Sequence, residues 1–453
     1  MKKILVLVVW VLVMCAFNPA SRMASVRDGQ FMVDGKPYYF VGVNFWYGAI
    51  LGSQGEGGNR ERLVRELDAL KKLGVTNLRI LVGSDGVRDT ATTEFQAALD
   101  GQGSQVFGQA VRSSKVQPTL QIAPGVYNDT ILDGLDYLMV ELNKRDMKAV
   151  LYLNNTWEWS GGYGQYLEWA HQGEETPVMQ TQRGPMKMSW ARRTNLFYKD
   201  PKATAMFENY IKDIVTRTNR YSGLKYIDDP AIFSWQIGNE PRPLGKENHE
   251  VFVKWIESSA KQIRSLDPNH MISTGNEGEM GCDNNLELTE AINAIPEISY
   301  MTIHIWPFNW GWIRQKTIQE NLPVAKEKTK AYLDMHVNIA KKYGKPITLE
   351  EFGYPRDDFA FKTGTPTTAR DAYYEYVFGL ISEAKAQKGL FSGCNLWAWG
   401  GFAIPAKDHD YWYKGDDYTG DPAQEQQGLN SVFMSDTKTI ELIRNVNKTL
   451  SKN

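Results

Sequence analysis

The chain has 453 residues and a formal net charge of −2. That length can bury a large core, and that charge gives no field to draw the protein to nucleic acid or an anionic membrane. The 14 Trp, 22 Tyr and 18 Phe stand out, fitting both a large core and surfaces that stack on the flat faces of sugars.

Met1-Lys2-Lys3 leads into an apolar run from Ile4 to Phe17. A positive start and so short an apolar core fit an export signal over residues 1–24 better than a membrane span. Ala16, Ala20 and Ala24 are nearby cleavage positions, and Met14 is larger than lipidation at Cys15 prefers. A secreted or periplasmic protein is expected, with a lipid anchor the lesser alternative and the only route to a membrane. Residues 25–453 then form one domain. It keeps Cys282 and Cys394, far apart and free to pair or not. The histidines at 171, 249, 270, 304, 336 and 409 form no HExxH pattern, so no metal is expected.

Phe31 to Pro37 reads as a small hairpin with an Asp34-Gly35 turn. Strands and helices then alternate. The strands are Tyr39–Phe45, Thr76–Val82, Lys148–Leu153, Ala231–Ile237, His270–Thr274, Tyr300–Ile305, one from Ile347, and Gly393–Trp399. The helices are Arg60–Leu73, Ile131–Arg145, Pro201–Arg220, Glu250–Leu266, Leu286–Ala294, Leu322–Tyr343, Ala369–Ala386 and Ile440–Leu450. Eight alternating units predict an α/β fold, a single (β/α)8 TIM barrel with long βα-loop insertions at Gly83–Asp129 and Asn154–Asp200. A doubly wound sheet is the alternative, but no Gly-rich phosphate loop follows the first strand.

Two strand ends carry acids: AIFSWQIGNEPRP (231–243) and PITLEEFG (346–353). Glu240 precedes Pro241, which biases its backbone towards the extended region. The span from Glu240 to Glu351 leaves room for three strand–helix units, so the two can face each other across a barrel mouth. Glycoside hydrolysis needs such a pair, one carboxylic acid to protonate the leaving oxygen and one carboxylate to attack or activate water. Successive strand residues point to opposite faces, so only one of Glu350 and Glu351 is expected to enter the cleft.

The segments LRILVGSDG (78–86), WQIGNEPRP (235–243), STGNEGEMG (273–281), HIWPFNW (304–310), LEEFGYPR (349–356) and NLWAWG (395–400) resemble those of the retaining endo-β-1,4-mannanases of glycoside hydrolase family 5. The resemblance covers nearly the whole mature chain. It implies Glu240 as general acid/base, Glu351 as nucleophile and Glu350 as a structural neighbour. The acid must be protonated at working pH and the nucleophile ionised, so burial and the Glu351 charge should raise Glu240, and a cation should hold Glu351. Arg79 resembles the family arginine that supplies this cation.

Asn239 would donate to the sugar 2-hydroxyl, and His304 would bind the sugar or orient the acid. Trp397 would floor the sugar before the cleavage point, with Trp399 competing by period two. Arg242 would reach towards the leaving group, and Glu277 is a further candidate for substrate contact. Trp306 departs from the pattern, standing where many relatives carry a Tyr that contacts the nucleophile; indole donates but cannot accept. Trp46, Trp157, Trp159, Trp310 and Trp312 are candidates for stacking platforms or packing. The implied protein is a monomeric β-mannan hydrolase without cofactor, acting on mannan, glucomannan or galactomannan polysaccharide or oligosaccharide. An endoglucanase, an exo-β-mannosidase and a non-catalytic carbohydrate-binding protein are the alternatives.

Overall fold

A computed structural model describes residues 23–86, 116–171 and 194–452. Nearly all of the expected export signal, and much of both long loop insertions, lie outside these residues. The barrel strands are β1 (Phe40–Asn44), β2 (Asn77–Leu81), β3 (Lys148–Tyr152), β4 (Ile232–Gln236), β5 (Met271–Ser273), β6 (Met301–Ile305), β7 (Ile347–Phe352) and β8 (Phe391–Leu396). Every residue of these strands is buried, which is why they read as apolar runs bounded by turn residues. The packing helices are α1 (Arg60–Lys72), α2 (Asp129–Asn143), α3 (Pro201–Val215), α4 (His249–Leu266), α5 (Leu286–Ala294), α6 (Leu322–Tyr343), α7 (Thr368–Ala386) and α8 (Thr437–Leu450).

The eight strands form one parallel sheet in the order β5-β4-β3-β2-β1-β8-β7-β6. Its two ends, β5 and β6, are joined by separate bonds: Ser299 N donates to the Ile272 carbonyl (2.8 Å) and Thr302 Oγ1 to that of Asn276 (2.7 Å). The result is a nearly closed barrel, and the doubly wound alternative is excluded.

Local chemistry sets the helix ends. Asn59 accepts from Arg62 N (2.8 Å) to start α1, and Asp200 accepts from Lys202 N and Ala203 N to start α3, with Pro201 in its first turn. Gly344, at φ +61°, stops α6. Helix α3 ends at Val215, short of the expected Arg220, because Arg217 turns onto Asp136 (2.6 Å) and Thr218 pairs with Lys225. The final strand closes at Leu396 rather than Trp399. Cys282 and Cys394 are both buried and free.

The predicted hairpin is present, and a further strand, Ser25–Arg27, pairs with it. Asp34 and Gly35 both take positive φ (50° and 74°), as a tight turn of that hand requires. Its Phe31 closes the N-terminal end of the barrel, against Phe40, Phe233 and Tyr300. The C-terminal end stays open.

Candidate active site

A cleft of about 990 Å³ opens at the C-terminal end of the strands. Asn239, Glu240, Arg242, Glu277, Trp306, Glu351 and Trp397 all line it. Arg79 and His304 lie beneath, each fully buried. The nine predicted site residues therefore converge on one place, the end where barrels build their sites.

Glu240 departs from expectation in its backbone. Its φ is +50°, in the left-handed region rather than the extended one that Pro241 favours. A left-handed non-glycine costs about 1–3 kcal/mol and persists only where the surroundings over-determine it. They do so here. Glu240 N donates to the Gly275 carbonyl (2.9 Å), Thr156 Oγ1 to the Glu240 carbonyl (2.6 Å) and Asn276 Nδ2 to that of Pro241 (2.7 Å). Gly275 must be glycine, since a Cβ there would stand 1.8 Å from the Gly238 oxygen.

Glu350 and Glu351 correct the alternation argument. In the β6–β7 ladder Ile303 pairs with Leu349 and His304 with Glu351, so Glu350 is the extra residue of a β-bulge. Both carboxyls consequently face the barrel interior. Glu351 meets Arg79 Nη1 (2.5 Å) and His304 Nδ1 (3.4 Å) in the cleft. Glu350, one level lower, accepts from Tyr300 OH (2.9 Å) and Gln236 Nε2.

His304 Nδ1 also lies 2.7 Å from Glu240 Oε1, and one atom from each of Glu240, His304 and Glu351 falls within 4.8 Å of the others. Those atoms are near enough to ligate a metal, but the Arg79 guanidinium on Glu351 opposes a cation there. Burial and the Arg79 charge hold His304 well below the usual imidazole range, so the ring is neutral. Burial pushes Glu351 well up; Arg79 opposes this, and the Glu240 charge adds to it. Arg79 therefore does not hold Glu351 ionised as simply as expected.

Arg242 does not extend freely towards the leaving-group side. Its Nε and Nη2 bind Glu277 (2.5 and 2.7 Å), and its guanidinium lies 4.9 Å from the Trp157 ring centroid. Burial, with the Glu240 charge, pushes Glu277 up to about 7. Asn239 is likewise engaged, accepting from Arg79 Nη2 (2.7 Å) and donating to Asn155 (3.1 Å). Trp306 packs edge-on against Trp397, with ring centroids 6.2 Å apart.

The remaining tryptophans divide. Trp157, Trp159 and Trp310 line the cleft, and Trp157 Nε1 donates to Glu240 Oε2 (2.5 Å). Trp46 is a packing residue, buried and bonded to the Gly420 carbonyl (2.8 Å). Trp312 stands beside Trp310 outside the lining. Trp399 is also no floor, since its indole turns away to Glu66 (2.8 Å). Strand alternation does not reach it, because β8 has ended.

Sequence reasoning missed Glu425. Its carboxyl lines the cleft, burial and the Asp421 charge push it up to about 8, and its Oε2 has no hydrogen bond among the described residues. The loop that presents it is tied by Asp421, which accepts from the backbone of Gly428 (2.8 Å) and Asn430 (2.8 Å). Nothing in the local sequence marks it, since its position follows from that loop folding back.

Residues 21–453 match the family model described as GH family 5 β-mannosidase-like. A putative mannan endo-1,4-β-mannosidase 9 of Oryza sativa subsp. japonica is 26% identical over 397 residues, covering 83% of each chain. The solved glycoside hydrolase family 5 mannosidase of Rhizomucor miehei is 30% identical with a TM-score of 0.79, over 95% of this chain and 98% of that one. A mutant of it is solved in complex with mannosyl-fructose. The endo-1,4-β-mannanase of the same organism shares the fold at 22% identity and a TM-score of 0.62, over 95% of this chain and all (100%) of that one. The match over residues 21–453 places this chain in the β-mannosidase-like branch of glycoside hydrolase family 5, and it is a glycoside hydrolase.

Proposed function

We propose that the protein is a retaining endo-β-1,4-mannanase that cleaves internal links of mannan, glucomannan or galactomannan. The observation that carries the proposal is the approach of Glu240 and Glu351, with one carboxylate oxygen of each within 4.8 Å of the other and Arg79 bonded to Glu351 rather than to Glu240. Retaining enzymes hold their carboxyl groups about 5–5.5 Å apart, whereas inverting ones leave about 6.5–9.5 Å for a water. In the proposed mechanism Glu240 gives its proton to the glycosidic oxygen as the Glu351 carboxylate attacks the anomeric carbon. The C–O bond to the leaving sugar breaks and a glycosyl ester forms on Glu351. Water, deprotonated by Glu240, then releases the sugar and restores both groups. The reaction starts with Glu240 protonated and Glu351 ionised, and the Arg79 bond to Glu351 favours charge on that carboxyl. His304, neutral and against both, orients them, and Trp397 floors the sugar. The mannan-degrading names of the relatives support the substrate.

A second reading, exo-acting β-mannosidase, is favoured by one observation: the fold matches the solved mannosidase at 0.79 and the endo-mannanase at 0.62. Product analysis on linear mannan decides between them. Mixed short oligosaccharides at early times support endo action; mannose alone supports exo. Proton NMR of the first product should show the β-anomer, and an α-anomer would overturn retention. Export through residues 1–24 belongs to the same proposal, supported by Lys2, Lys3 and the apolar run after them; amino-terminal sequencing of protein recovered outside the cytoplasm tests it.

A further inference from the structure

Arg79 is the cation of the site, and its aim depends on three amides. Its Nε donates to Gln236 Oε1 (2.9 Å), Nη1 to Asn44 Oδ1 (3.1 Å) and Nη2 to Asn239 Oδ1 (2.7 Å), leaving the second Nη1 bond for Glu351. An amide offers oxygen from one side and NH2 from the other. Turned over, any of the three would set N–H against N–H and drive the guanidinium off Glu351. Something must fix each amide.

Asn155 fixes Asn239 by accepting its NH2 (3.1 Å). Glu350 meets both of the others. Its backbone carbonyl accepts from Asn44 Nδ2 (2.8 Å), and its carboxyl Oε2 accepts from Gln236 Nε2. The other partner of Gln236 Nε2 is the Ser273 hydroxyl (3.0 Å), which can donate as readily as accept and so fixes nothing. The carboxyl oxygen is the acceptor that decides. Tyr300 OH meets Oε1 (2.9 Å) and Ser234 Oγ (2.8 Å). If Glu350 holds a proton on Oε1, the Tyr300 oxygen can take that hydrogen bond, so Oε2 accepts in either state. The bulge makes the arrangement possible. In regular alternation a glutamate next to Glu351 would face the helices, whereas here it lies under Arg79, its carboxyl 3.7 Å from Nε.

We infer that Glu350 is a positioning residue for the hydrolytic reaction, holding Gln236 with its oxygen on Arg79 and thereby aiming Arg79 at Glu351. The inference rests on the reading of Glu351 as nucleophile. It touches no substrate and acts only through Arg79.

The test is the pH profile of kcat/KM on an aryl β-mannoside, whose acid limb reports the ionisation of the essential base in the free enzyme. With Glu350→Met, which has no oxygen to offer, Gln236 loses its obligate acceptor, Glu351 loses part of its cation, and the acid limb moves up by about one pH unit. Glu350→Asp keeps an acceptor and restores at least half of that shift. Gln236→Met, which removes the amide without touching Glu350, moves the limb the same way and carries the test if Glu350→Met does not fold. An unmoved limb with only a lower melting temperature would reduce Glu350 to packing and overturn the inference. A limb moving to lower pH would make Glu350 a charge competing for Arg79, which also overturns it. Trapping the parent with a 2-deoxy-2-fluoro-mannosyl fluoride, then peptide mapping, separates the two readings. Label on Glu351 with an unmoved limb sinks only the positioning role; label on another residue sinks both.

Discussion

The two ends of the barrel are built from opposite materials. At the N-terminal end Phe31 stands edge-on to Phe233 and Tyr300, with ring centroids at 5.0 and 5.1 Å, and Ala24, Val150 and Met271 fill the gaps. Edge-to-face rings add about 0.5–1.5 kcal/mol per pair beyond the area they bury. At the C-terminal end Arg79, Glu240, Glu277, His304 and Glu351 are all buried, and burial works against the charged form of each of the last three. The comparison teaches where the fold draws its stability. The ring-filled end contributes it, and the charged end spends part of it on a left-handed Glu240 and on carboxyls held together.

The largest expected effect separates the ends by activity. On the proposal that Glu351 is the nucleophile, Glu351→Ala should lower kcat by about 10⁴-fold or more. Breaking a buried ion pair commonly costs about 3–5 kcal/mol, yet here the melting temperature should stay nearly constant. Arg79 keeps Gln236, Asn44, Asn239 and Glu350 as neighbours, and the deleted carboxyl is one whose charge the fold disfavours. An assay beside a thermal melt checks both halves. A drop of several degrees would mean that the charged end also supports the fold.

The converse change is next in size. Phe31→Ala should cost about 3–5 kcal/mol, the usual loss for a buried ring, while kcat/KM per folded molecule stays within about threefold, as for distant sites. One residue joins the two ends: the Tyr300 ring packs on Phe31 and its hydroxyl donates to Glu350. A tenfold loss of kcat/KM in folded Phe31→Ala would show that the layers are coupled through it.

Legibility in the sequence follows the same division. The strands and the Phe31 hairpin can be read locally, because apolar runs, Asp-Gly turns and capping residues carry their own geometry; β6 ends at Ile305 as expected and α5 and α6 match at both ends. Glu240 and Glu351 are also legible, as acids at strand ends. What escapes depends on register and on distant partners. The Glu350 bulge exists only in the pairing with β6, the left-handed Glu240 only in bonds to Thr156, Gly275 and the loop after β5, and the turn of Trp399 only in its bond to Glu66. The Glu425 carboxyl reaches the cleft through a loop closed on Asp421, whose partners lie several residues downstream. Period-two reasoning cannot see any of these.

The smallest predicted effect asks whether the cost of the charged end comes from burial itself or from catalysis. Asp85 follows β2 at that end but does not line the cleft. Its Oδ1 accepts from Gln121 (2.9 Å) and Tyr166 (3.3 Å), its Oδ2 has no hydrogen bond among the described residues, and burial pushes it up to about 7. The unfolded chain releases this proton near pH 4, so between about pH 4 and 7 the folded state binds more protons. Stability from this group is complete below that window and is lost as pH rises through it, by up to roughly 4 kcal/mol. Asp85→Asn removes the loss, so denaturant melts of the variant and the parent should converge near pH 4 and separate in the variant's favour by pH 8. Cleavage of an aryl mannoside should be unchanged, because the group touches neither Glu240 nor Glu351. Curves that run parallel across the range would mean that burial at this end carries no such cost, and would place the instability with the Glu240–Glu351 pair alone.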